Sequence, residues 1–127
     1  MSTTTGGVIG TFAPDNLIAK NYPPVDAFIV ELKTAGAYTR GTVLCLESDG
    51  TYSVMGASTS GTGDNKKLTG TPAAVLADDT AAEDTTASAY RSGHFYRNML
   101  TVAEGYTMTA ADEDALRRAG IFLSDGV

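Results

Sequence analysis

Apolar positions in this chain come in short runs separated by turn residues, and the runs read as strands. Residues 27–32 (Ala-Phe-Ile-Val-Glu-Leu) are rich in β-forming side chains, and residues 35–38 break the run. A second run, residues 39–47, leads into Asp49-Gly50 and then into residues 51–55. An Asp-Gly step between two apolar runs predicts a β-hairpin, because the turn needs residues that tolerate positive φ. Residues 73–77 form a short apolar run, read as a buried strand. Residues 85–91 read as another strand ended by Ser92-Gly93, with residues 94–100 continuing as a strand or extended segment. Near the end, Thr109 precedes a stretch with acids early (Asp112, Glu113, Asp114), Arg117 and Arg118 late, and Gly120 as a stop. That order predicts one capped helix of about ten residues, with Ala111, Ala115, Leu116 and Ala119 facing inward. An apolar tail, Ile121-Phe122-Leu123, follows it. The pattern gives a mostly β single domain over residues 25–127 with one short C-terminal helix.

Residues 1–24 follow neither period. Ser2 to Gly7 are small and polar; Val8, Ile9, Phe12, Leu17 and Ile18 are scattered; Pro14, Pro23 and Pro24 interrupt any ladder. Such a stretch is read either as a flexible arm that orders on a partner or as a frayed terminus. Residues 56–71 are a polar, glycine-rich connection that lacks the Gly-Lys-Ser/Thr ending of a phosphate-binding loop.

Size and charge narrow the function classes. A chain of 127 residues suits one domain. No apolar run approaches the roughly 20 residues that cross a bilayer, and no basic-then-apolar leader is present. The expectation is a soluble protein made in the cytoplasm, with no membrane partner. Net charge is −6, and the acids concentrate late: four basic and nine acidic residues lie beyond residue 70. Nucleic acid is not an expected partner, since phosphate binding needs clustered Lys and Arg.

Candidate chemistry is sparse. Cys45 lies inside an apolar run and reads as a core thiol. Asp78, Asp79, Glu83 and Asp84 come as two adjacent pairs without the glycine turn of a calcium loop, so they read as solvated charges. His94, beside Phe95 and Tyr96, has no partner motif for catalysis or for zinc. No catalytic, metal or cofactor residues are assigned, and the chain reads as a non-enzyme.

The C-terminal half resembles the head decoration protein family of lambda-like phages. The stretches that carry the resemblance are Ala74-Val75-Leu76-Ala77, an acidic and Thr/Ala spacer, and residues 85–100 with their Ser-Gly-x-Phe step. The helix at 109–119 and the apolar end at 120–123 follow in the same order. Gly41-Thr42-Val43-Leu44 and the Asp49-Gly50 turn match the family's central hairpin. The resemblance covers roughly residues 25–127, in pattern more than in identities. It implies a small β-clip or β-tulip-like domain forming homotrimers on the outer surface of the expanded capsid, at local three-fold positions, where they stabilise the head. It also implies that residues 1–24 are an arm ordering against the major capsid protein, with Thr3, Thr4, Val8, Ile9, Thr11, Phe12, Leu17 and Ile18 as contacts. Apolar residues expected at the surface, Phe95, Tyr96, Met99, Leu100 and Ile121, are assigned to the trimer interface.

Two other classes stay open at this point. Tyr90, Phe95, Tyr96 and Tyr106 could stack on sugars, which would make a ligand- or carbohydrate-binding β domain on a virion or cell surface. A trimeric hydrolase on a related scaffold would need a carboxylate set that the chain lacks.

Overall fold

The computed structural model describes residues 17–20, 23–61 and 67–125. Its strands are β1 (Ile18–Lys20), β2 (Asp26–Glu31), β3 (Val43–Leu46), β4 (Tyr52–Val54), β5 (Thr59–Ser60), β6 (Lys67–Leu68), β7 (Thr71–Leu76), β8 (Thr86–Tyr96) and β9 (Ile121–Ser124). A 3-10 turn at Arg97–Met99 and the helix α1 (Ala110–Ala119) complete it. The domain is mostly β, as the short apolar runs predict.

Strand β8 organises the sheet. It pairs with β2, β7 and β1 antiparallel and with β9 in parallel, and β3 links β7 to β4. An isolated bridge joins Leu32 to Tyr52, and the Lys33 N–H donates to the Tyr52 carbonyl at 2.8 Å. This contact brings the end of β2 against β4, so β2, β8, β7, β3 and β4 curl around one apolar interior. Val30, Leu32, Leu44, Ala74, Leu76, Ala87 and Ala89 fill it. The opposite face carries a second core of Leu17, Val43, Cys45, Met55, Val75, Phe95, Leu116 and Ile121, closed over by α1 and β9. Both faces are therefore buried along Val43–Cys45 of β3 and Ala74–Leu76 of β7. That explains why their sequences are unbroken apolar runs and not alternations.

Residues 85–100 differ from the sequence expectation. Ser92-Gly93 does not end a strand; β8 runs through it as one strand of 11 residues. The register against β2 slips by one residue around Arg91, from Tyr90 opposite Ala27 to Ser92 opposite Asp26. A one-residue bulge re-aims the side chains that follow it. Ala87 and Ala89 accordingly enter the first core, whereas Phe95 enters the other.

The Asp49-Gly50 hairpin forms as expected, with Leu44, Cys45 and Leu46 opposite Val54, Ser53 and Tyr52. Gly50, at φ +90, donates its N–H to the Glu47 carbonyl, and the Asp49 carboxylate accepts from the N–H and hydroxyl of Thr51. Glu47 is buried, its carboxylate accepting from the hydroxyls of Ser53 and Thr69. These bonds fasten the hairpin to the segment that follows the β5–β6 ribbon.

Helix α1 also appears where its capping signals place it. The Thr109 hydroxyl accepts from the Asp112 N–H while the Asp112 carboxylate accepts from the Thr109 N–H, a reciprocal capping box. Asp112 additionally accepts from the Tyr106 hydroxyl. Of the four residues expected to face inward, Leu116 is fully buried and Ala115 partly so, while Ala111 and Ala119 are exposed. A single large side chain is enough to seat a ten-residue helix against β7 and β9. Replacing Thr109 with alanine is expected to lower stability by about 1 kcal/mol, read as a lower midpoint in urea titration, because the Asp112 N–H loses the hydroxyl that accepts from it.

Candidate functional site

The candidate site is the set of residues assigned to the arm and to the subunit interface. Of the residues assigned to a capsid-binding arm, Thr3, Thr4, Val8, Ile9, Thr11 and Phe12 lie outside the described residues. Leu17 and Ile18 do not belong to a free arm. Leu17 is 2% exposed in the core, its carbonyl accepting from the Tyr96 N–H, and Ile18 pairs with Phe95. They are domain residues because β8 offers β1 a backbone ladder and an apolar slot.

The residues assigned to a trimer interface divide. Phe95 and Ile121 are fully buried within the subunit, so the expectation that they face a neighbour is corrected. Phe95 packs at 5.6 Å from the Tyr90 ring, and the bulge at Arg91 turns it inward. Ile121 sits opposite Gly93 in the parallel β8–β9 ladder, between α1 and the sheet. Met99 and Leu100 are half-buried against the same core, and Tyr96 is partly exposed.

The aromatic set proposed for sugar stacking does not form a platform. Phe95 is enclosed, Tyr106 is packed beside Gly56 with its hydroxyl on Asp112, and the Tyr90 hydroxyl accepts from Arg40 at 2.7 Å. Arg40 also donates to the Ala77 carbonyl, and its backbone N–H reaches Asp79. Asp84 caps the turn at Ala81. Asp79 and Asp84 of the acidic stretch thus serve local loop geometry.

Arginines elsewhere are matched to acids: Arg91 to Asp26, Arg97 to Glu113 and Asp125, Arg117 and Arg118 to Asp114. His94 is half-buried in β8 with its ring 6.4 Å from Phe122; among the described residues its Nε2 has no hydrogen-bond partner. No group of three or more metal-ligating side chains occurs among the described residues.

Cys45 is a core thiol. Burial, with smaller contributions from Asp112 and Glu47, pushes it from an ordinary value of 9.0 to about 12. Above pH 9 the unfolded thiol ionises while the folded one stays protonated. The stability linked to this group is therefore complete below pH 9 and is lost between 9 and about 12. Burial and the Asp112 hydrogen bond also raise Tyr106, which acts in the same direction at still higher pH. Thermal melts from pH 8 to 11 are expected to show an alkaline fall that is shallower in Cys45→Ala. Folded protein at pH 8 is expected to resist thiol alkylation until denaturant is added.

The family model for the bacteriophage lambda head decoration protein D matches residues 8–121. The chain belongs to this family. No curated protein matches it. Membership makes it a structural decoration protein of a phage head, associated with the virion capsid. The match extends through β1, α1 and the first residue of β9 and starts ahead of the first described residue. Sequence reasoning missed the role of Leu17 and Ile18 because β1 has only three residues, too few to display a period. It also missed the exposed face of β2, because a run rich in β-forming side chains does not show which face of the strand is left open.

Proposed function

We propose that this decoration protein, made in the host cytoplasm, binds the outer surface of the expanded capsid as a homotrimer at local three-fold positions and stabilises the head. The observation that carries the reading is the family match over residues 8–121, which takes in residues 8–16 together with the folded domain. In this reading the attachment arm is confined to residues 1–16, with Val8, Ile9 and Phe12 as its apolar contacts on the major capsid protein. Such a segment gains main-chain hydrogen bonds by strand addition, and three arms on one trimer act at high effective concentration. Tyr96, Met99 and Leu100, partly exposed, contribute to contacts between subunits.

The test separates arm from domain. A chain lacking residues 1–16 keeps Leu17 and β1, so it is expected to melt like the full chain yet fail to co-sediment with expanded heads. Equal sedimentation of the two chains would overturn the arm assignment. Deletion to residue 20 is the wrong variant, because it removes a core side chain along with the arm. Light scattering at micromolar concentration is expected to give three times the 13.1 kDa subunit mass.

A further inference from the structure

A ring of three identical subunits needs two different surfaces on each, one to offer and one to receive. Two apolar features on this domain present surface beyond the contacts described so far. One is convex. Val25, Ala27 and Ile29 stand on one face of the β2 segment, with Val25 41% and Ile29 71% exposed, while Phe28 and Val30 turn to the interior. Isoleucine at that exposure, on a strand that pairs among the described residues with β8 alone, is the largest departure from burial among the described large hydrophobic residues. The other is concave, a groove of about 460 Å³ walled by Leu32, Tyr38, Tyr52, Val54 and Val102.

We infer that the groove of one subunit receives the Val25–Ile29 ridge of the next, closing a head-to-tail ring. This inference rests on the trimer proposed above and names the surfaces that would build it. Three observations support a second copy as the occupant. Ridge and groove are neighbours, since Leu32 lies three residues beyond Ile29 on the same run; patches that meet around a closed ring axis must lie side by side on each subunit. Charge is complementary. Among the described residues Lys33 is the one charged residue lining the groove, whereas the ridge ends at exposed Glu31, Asp26 at its other end being already paired with Arg91. The groove wall at Thr101–Ala103 directly follows Met99 and Leu100, so it is continuous with the surface already assigned to intersubunit contact.

The experiment uses full-length protein carrying Ile29→Cys, Ala57→Cys or both, treated with a short bis-maleimide in solution and on expanded heads. Ala57 lines the groove and is exposed, while buried Cys45 is silent, with the unmodified chain as control. The double variant is expected to give covalent dimers and trimers on a denaturing gel, and each single variant only monomer. Dimers from Ile29→Cys alone would mean a two-fold contact and overturn the inference, as would no crosslink in either setting. In parallel, Lys33→Glu and Glu31→Lys are each expected to raise the concentration needed for trimer about tenfold or more, and the double exchange to restore it. Single exchanges without effect, or a double exchange that restores nothing, would also overturn it. Decorated heads without crosslinks would refute this interface and leave the decoration reading standing. Crosslinked rings that ignore heads would do the reverse.

Discussion

Truncating Phe95 to alanine is expected to cost about 3–5 kcal/mol, the range for removing a fully buried aromatic side chain and leaving a cavity. A domain of this size holds on the order of 5–15 kcal/mol in total. The variant should therefore melt roughly 15 °C or more below the parent, or show no folded baseline at 37 °C. The size of the effect follows from position. Phe95 has no exposed surface and touches the Tyr90 ring, and its backbone stands between Ile18 of β1 and Leu123 of β9. Phe95 shares one buried cluster with Cys45 of β3, Val75 of β7, Ile121 of β9 and Leu116 of α1, so a void there opens in the middle of that core. Tyr96→Ala, one residue further on and partly exposed, should cost a fraction as much. Urea titrations of the two variants side by side would check this; equal losses would mean that the ring is not the keystone of its core.

The second large effect is expected at Gly41. Its φ is +98, and a Cβ there would lie 2.8 Å from the Met99 carbonyl oxygen and 3.6 Å from the Leu17 side chain. The Gly41 N–H donates to Leu76 and its carbonyl accepts from Thr101, so the backbone is fixed on both sides and cannot swing away. Backbone strain and the clash together put Gly41→Ala at about 2–5 kcal/mol. Gly50→Ala is the control. It has a comparable φ of +90 but nothing within 4 Å of the new carbon, leaving only the conformational cost of about 1–2 kcal/mol. The gap between the two midpoints in denaturant measures the close approach at Gly41; if the two losses coincide, that contact is immaterial.

What the sequence discloses and what it hides divide along the range of the contacts. The β3–β4 hairpin and α1 are legible because their determinants are local: Asp49-Gly50 in one, Thr109, Asp112 and Gly120 in the other. The continuity of β8 is hidden because Ala87, Ala89 and Gly93 are small, which mutes the alternation that Phe95 would otherwise complete. Ile121 resembles a loose tail until β8 supplies a parallel ladder, and Leu17 resembles an arm residue until the same strand supplies an antiparallel one. Of the residues the family pattern assigned to an interface, Met99 and Leu100 keep part of their surface, whereas Phe95 and Ile121 keep none. The pattern placed Phe95 and Ile121 outside because hydrophobic character alone does not say which core a residue faces after a bulge.

The pairing of Phe95 with Ile18 on one ladder and Leu123 on the other has a kinetic consequence. Both contacts join positions far apart in sequence, so neither rewards the chain until long loops have closed, and topologies of that kind fold slowly for their size. The reverse path is equally constrained. β1 and β9 flank the same residue of β8, so the first and last strands cannot fray independently of the middle of the sheet. Slow amide exchange is then a property of the strands nearest the chain ends, where most domains exchange fastest.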